Sequence, residues 1–178
     1  MQSILYFGIV NKRKADGYMR KMVLSVLVDN TSGALNRIAG LFSRRGYNID
    51  SLTVGETENP NLSRMTIVVH GDEEILEQIF KQINKLVDVR EVIELKDDSS
   101  VTRELILIKV AVDAASRAQV LAVCDIFRAK IVDVSTDSLI IELTGNQAKL
   151  DAFTGLIQGF EVLELVRTGI TGLTRGTN

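Results

Sequence analysis

The hydrophobic and polar positions of the chain switch repeatedly between a period of two and a period of 3.6 from Met22 onward. "MVLSVLVD" is rich in branched residues and predicts a strand. Leu35, Ile38, Ala39 and Phe42 then recur at i, i+3, i+4 and i+7, one apolar stripe of a helix. Arg44 and Arg45 fall in its last turn, where the helix dipole favours cations, and Gly46 supplies the stop. "YNIDSLTVGE" and "SRMTIVVHG" read as two strands around the polar loop "TENPNL", which holds the only proline, Pro60. Asp72 caps a second helix with the stripe Leu76, Ile79, Phe80 and Ile83, and "VDVREVIEL" closes the unit as a strand.

The same order then returns. "KDDSSVT", residues 96–102, is charged and then small and polar, the composition of a linker. "RELILIKVAVD" predicts a strand, and Ala115 to Phe127 a helix with the stripe Val120, Val123, Cys124 and Phe127. "AKIVDVST" and "SLIIELTG" pair across a tight turn near Asp137. Asn146 caps a helix containing Leu150, Phe153 and Ile157, and "FEVLELVRTG" is the last strand. The predicted class is α+β: two tandem ferredoxin-like βαββαβ sandwich units. The expected divisions are an extension over 1–21, a first domain over 22–96, a linker over 97–102 and a second domain over 103–178. Helices on one face only would leave the other sheet face, or an edge, to be covered by a partner, so oligomerisation is expected.

Composition narrows the function. At 178 residues, 46% hydrophobic and 25% charged, the chain can bury a core, and its net charge of −2 offers no basic field for nucleic acid. The strands that would form an RNA platform, "MVLSVLVD" and "SRMTIVVHG", carry no aromatic residue for base stacking. No run of 18 apolar residues occurs, so no membrane span is expected, and the single cysteine fits a reducing, cytoplasmic setting. In residues 1–21 the basic stretch follows the apolar run, the reverse of a signal peptide; they are read as a mobile extension or as the mark of an upstream start codon. Cys124 lies on an apolar stripe and reads as packing. His70, the only histidine, stands beside Gly71 and reads as a solvated loop residue, so neither a triad nor a metal cluster is expected. Gly33 and Gly40 lack the lysine and hydroxyl of a phosphate-binding loop.

One stretch asks for more than packing: "DNTSGALNRIAGLFSRRGYNI", residues 29–49. The first N–H groups of a helix have no intrahelical partner, and the dipole draws anions to them. Glycine at that mouth admits a ligand to the backbone, so Gly33-Ala34-Leu35 could receive a carboxylate. Asn30 and Asn48 offer amide oxygens to an ammonium. With the first two strands as neighbours, both amides would come close to the mouth. A plain cap by Asn30, Thr31 or Ser32, with Gly33 permitting the turn, accounts for the same letters. Aligning the second unit on its "VD" places Ala114 at Asn30, Arg117 at Gly33 and "KIV" (130–132) at Asn48. The second helix thus starts without those groups, which makes them optional for the fold.

"LFSRRGYNIDSLTVG", "LSRMTIVV", "KLVDV", "IFRAKIVDV", "KLDAF" and the ending "RTGITGLTRG" closely resemble the small regulatory subunit of acetolactate synthase (acetohydroxyacid synthase). The likeness spans about Met22 to Gly176, and its first unit resembles an ACT domain. The resemblance implies a non-catalytic protein of branched-chain amino acid biosynthesis. It would activate a catalytic subunit and confer feedback inhibition by valine, or by leucine or isoleucine. The effector is then expected between the ACT domains of a homodimer, at residues matching Asn30, Gly33, Ala34, Leu35, Asn48 and Ile49. Thiamine diphosphate, Mg²⁺ and FAD are expected on the catalytic partner and none on this chain. A stand-alone amino-acid-sensing module with a different partner is the rival expectation.

Overall fold

The computed structural model describes residues 19–176. Thirteen elements follow in the order β1 (Arg20–Asp29), α1 (Ala34–Arg45), β2 (Ser51–Glu56), β3 (Leu62–Gly71), α2 (Glu73–Ile83), β4 (Val89–Glu94), then β5 (Ser100–Ala111), α3 (Ser116–Phe127), β6 (Lys130–Val134), β7 (Ser138–Gly145), α4 (Gln147–Ile157), β8 (Val162–Arg167) and β9 (Thr171–Thr174). They form two βαββαβ units, as the sequence predicts. The sheets run β2-β3-β1-β4 and β6-β7-β5-β8, and all paired strands are antiparallel.

Each sheet packs its helices on one face over a separate apolar core. The first holds Leu24, Val26, Met65 and Ile67 against Ile38, Leu41, Phe42, Leu76 and Ile79; the second holds Ile106, Ile108 and Ile141 against Val120, Leu150 and Phe153. These are alternate strand positions meeting i, i+3, i+4 helix positions, the two periods visible in the sequence. Phe153 meets Phe127 edge to face, with ring centroids 5.3 Å apart. Cys124 is buried on that stripe, and burial pushes its thiol up to about 11.

Several expectations shift. Residues 1–18 of the expected extension lie outside the described residues, while Arg20 and Lys21 already belong to β1. Residues 100–102, expected in the linker, are the start of β5 and pair with β9, a strand absent from the sequence reading. Leu35 is 41% exposed, and Leu41 takes its place in the core: the buried stripe of α1 is Ala34, Ile38, Leu41 and Phe42. β1 and β2 are not neighbours, because β3 lies between them. The face of the first sheet away from its helices is partly covered by this chain itself: Ile170, between β8 and β9, packs on Val23, Val68 and Leu95.

The internal alignment also moves. The β-bulge falls at Leu27/Val28 in β1 and at Lys109/Val110 in β5, and the N–H groups of Asp29 and Ala111 each donate to the chain just before the last strand of their unit. Val112 therefore matches Asn30, and Ala115 matches Gly33 as the residue preceding the helix. The "VD" alignment sets the register two residues late. The contrast it drew survives, since neither Val112 nor Ala115 supplies an amide side chain or a glycine. The helix ends agree: Gly46 and Arg128 both close their helices with positive φ, 68° and 55°.

Candidate functional site: the mouth of helix α1 and the start of strand β2

Gly33 immediately precedes α1 with φ 88° and ψ −6°, a left-handed conformation that strains any residue with a Cβ. No side chain caps this helix. The other three helices are met by one: Asp72 accepts from Ile75 N at 2.8 Å, Asn146 from Lys149 N at 3.0 Å, and Asp113 from Ala115 N and Ser116 N at 3.0 and 2.7 Å. The Asp113 carboxyl is held below its ordinary range chiefly by the Ser116 N–H, the ordinary effect of an amide donor on a carboxylate. At α1 the N–H of Ala34 turns back to the Thr31 carbonyl, and no side chain serves the rest of the first turn. The plain-cap explanation of Asn30, Thr31 and Ser32 therefore does not hold.

Asn30 has a different occupation. Its backbone N–H donates to the Asn61 carbonyl at 2.8 Å, and its Nδ2 donates to the Pro60 carbonyl at 2.9 Å and lies 3.4 Å from a Glu56 carboxylate oxygen. Both side-chain partners are acceptors only, so the amide nitrogen must face them and Oδ1 faces away. Asn48 repeats the arrangement. Its Nδ2 donates to Asp50 Oδ1 at 2.8 Å, and the other carboxylate oxygen of Asp50 lies 2.7 Å from His70 Nδ1. Among the described residues neither asparagine oxygen accepts a hydrogen bond. His70 is thus exposed but partnered, the last-but-one residue of β3 rather than a free loop residue.

The other candidates divide by depth. Ala34 is buried, Ile49 is half-buried against the first core, and Leu35 and Asn48 are exposed. Arg37, one turn into α1, lies beside the mouth: its guanidinium nitrogen would stand 3.1 Å from a Cβ at Gly33. Asp88 fixes Arg37 through a two-point ion pair, with one contact at 2.7 Å, and that pairing holds the Asp88 carboxyl below the usual range. Asp50, His70, Arg37 and Asp88 are residues that sequence reasoning did not select. The spacing Asn48-x-Asp50 after a helix stop was the one local sign available.

The structure separates what the sequence brought together. Asn30 lies beside Pro60 and Asn61, at the end of the sheet where Asp29 pairs with Leu62. Asn48 lies beside Asp50 and His70, at the end where Lys21 pairs with His70. The twelve residues of α1 run between them, about 18 Å along the helix axis. Within one chain the two amides cannot serve one small ligand.

Among the described residues no group of three or more metal-ligating side chains is assembled, and no helix is long and apolar enough to cross a membrane.

The β2-β3-β1-β4 sheet with two helices on one face, doubled along the chain, defines a protein built on an ACT domain followed by a second unit of the same topology. Residues 24–91 match the ACT domain described as acetohydroxyacid-synthase small-subunit-like, and residues 103–176 match the family described as the small subunit of acetolactate synthase. The chain is 51% identical over 153 residues to the acetolactate synthase small subunit of Mycobacterium bovis, covering 86% of this chain and 91% of that one. It is 48% identical over 157 residues to the acetolactate synthase isozyme 3 small subunit of Escherichia coli, covering 88% and 96%. The crystal structure of the acetolactate synthase small subunit from Thermotoga maritima superposes with a TM-score of 0.82 at 43% identity, over 89% of this chain and 99% of that one. The chain belongs to the acetolactate synthase small subunit family.

Proposed function

We propose that this protein binds the catalytic subunit of acetolactate synthase, raises its activity and places it under feedback inhibition by valine or another branched-chain amino acid. The catalytic chemistry, with thiamine diphosphate, Mg²⁺ and FAD, belongs to the partner. The observation that carries the reading is the pairing of two half-sites in a member of this family. One is an uncapped, glycine-opened helix mouth at Gly33-Ala34-Leu35 with the free Asn30 oxygen; the other is the free Asn48 oxygen beside Ile49. A carboxylate suits the first-turn N–H groups, an ammonium suits amide oxygens, and the exposed Leu35 and half-buried Ile49 suit a branched apolar side chain.

The distance between the half-sites requires a second copy. β2 is the edge strand of the first sheet, with Val54 46% exposed. If two β2 strands pair antiparallel across a two-fold axis, the start of β2 in one subunit lies beside the end of β2 in the other. That end holds Glu56, 3.4 Å from Asn30. Asn48 of the partner subunit then faces the mouth of α1, and the dimer carries two equivalent sites.

Valine acts by favouring one arrangement of this dimer; a coupling of about 1–3 kcal/mol is ordinary for such control. The test is reconstitution with an acetolactate synthase catalytic subunit, assaying acetolactate with and without valine. Activity should rise on adding this protein and fall on adding valine. No rise would assign the protein another partner.

A further inference from the structure

Ile170 belongs to the second half of the chain but is buried in the first. It joins Val23, Val68 and Leu95 in a small apolar cluster on the side of the first sheet opposite its helices. Val23 and Val68 are cross-strand partners on β1 and β3, so the side chain seats over the middle of that sheet. Both polar groups of its backbone are held by the edge strand. The Ile170 N–H donates to Ser51 Oγ at 3.2 Å, and Thr53 Oγ1 donates to the Ile170 carbonyl at 2.9 Å. Ser51 and Thr53 are two apart on β2 and therefore share one face.

The glycines of "TGITG" have a matching reason. Gly169 has φ 86°, and a Cβ there would stand 2.3 Å from Ser51 Oγ. At Gly172 a Cβ would come within 2.9 Å of Leu95, Thr102 and the Val101 carbonyl. Only glycine lets the chain lie this close to β2 and to the start of β5. The approach from β8 is also fixed, because Arg167 grips the buried Glu104 through two bonds of 2.8 and 2.7 Å.

β2 is continuous with Asn48 and Ile49. Between them stands Asp50, whose carboxylate holds Asn48 and His70 and whose N–H donates to the Val68 carbonyl. Val68 also contacts Ile170 in the cluster. A ligand that repositions Asn48 therefore acts on a short, hydrogen-bonded chain that ends on the second unit.

We propose that Ser51, Thr53 and Ile170 form the joint by which an amino acid bound at the first unit changes the placement of the second. They are positioning residues, outside the ligand site, and the inference rests on the amino-acid-binding reading above. The joint transmits a preference only if the bound and free states hold Ile170 differently.

The test uses the full-length double variant Ser51→Ala/Thr53→Val, which removes both hydrogen bonds with almost no change in volume, and Ile170→Ala as an independent second variant. Each is reconstituted with the catalytic subunit. Hydrogen exchange at residues 168–172 should quicken, showing the joint released. Titration calorimetry should still show valine binding, its affinity shifted by no more than the coupling itself, about 5–150-fold, while inhibition of acetolactate formation by saturating valine should be lost. Full inhibition in a variant whose joint is released would overturn the proposal, and so would loss of valine binding together with inhibition, which would place these residues in the site itself. Wild-type protein that neither binds valine nor confers inhibition would instead remove the amino-acid-binding reading on which the joint depends.

Discussion

Asn30 and Asn48 stand at opposite ends of helix α1, about 18 Å apart along its axis, yet each turns its amide nitrogen onto an acceptor of its own chain and leaves its oxygen free. Two oxygens prepared alike at opposite ends of one helix suit a site that closes only when a second subunit arrives. The crossover makes the separation unavoidable: β1 and β2 both run antiparallel to β3, so α1 must lead from the end of one strand back to the start of the other.

Gly33→Asp should abolish valine binding. The new carboxylate would occupy the mouth that receives the ligand's own. The strain at φ 88° costs about 1 kcal/mol, small against the stability of a domain, and the nearest neighbour is a side-chain end, the Arg37 guanidinium, rather than backbone. Circular dichroism should show the fold intact while calorimetry shows no heat of valine binding. Gly33→Ala carries the same strain without the charge and should retain measurable binding.

Asp50→Ala should weaken valine binding although Asp50 meets no ligand. Its carboxylate is what turns the Asn48 nitrogen inward, and without it the amide loses its fixed orientation. One good hydrogen bond to a charged group is worth about 1.5–3 kcal/mol, so the loss should be roughly tenfold or more by calorimetry. Arg117→Ala, which frees only two carbonyl contacts at Ser135 and Thr136 in the second unit, should leave binding unchanged.

How far the sequence carried can be judged from these same residues. The stripes of α2, α3 and α4, the caps at Asp72 and Asn146 and the stop at Gly46 are local, and each is present as predicted. Leu35 misled because periodicity assigns a face but not the edge of that face, and Leu41 lies closer to its centre. The adjacency of β1 and β2 failed because strand order is a matter of crossovers, which no local pattern records. The pairing of Asp50 with His70 was not legible for a similar reason: it joins residues 20 apart, between the residue preceding β2 and the end of β3. "TGITG" stood out in the sequence only as part of a resemblance; Gly169 finds its cause in Ser51, more than a hundred residues away, and Gly172 in Leu95, Val101 and Thr102.

Asp88→Asn should lower stability at neutral pH and not in strong acid. The Arg37 guanidinium depresses the Asp88 carboxyl, so this contribution is complete above the unfolded value of about 3.9 and disappears as pH falls through the lower folded value. Melting curves of wild type and variant should differ at pH 7 and converge as pH drops below about 4. A gap that persists in acid would assign the effect to packing rather than to charge.

Cys124 should resist thiol reagents in the folded protein. It is buried, and its thiol is pushed up to about 11, so little thiolate exists at pH 8. Labelling with a chromogenic disulfide should be slow in buffer and rapid in denaturant. Rapid labelling of the native protein would show that α3 opens from its sheet.

A site completed by two subunits is tested most directly by mixing two defective variants. Gly33→Asp spoils the helix mouth and Asn48→Ala spoils the opposite half-site, so neither homodimer should bind valine normally. A mixed dimer, refolded from equal amounts of both and purified, places both lesions in one site and leaves the other intact. Calorimetry should then find one valine per mixed dimer, at wild-type affinity. If the mixed dimer binds no better than its parents, the two half-sites do not meet across the dimer and the proposed effector site is wrong.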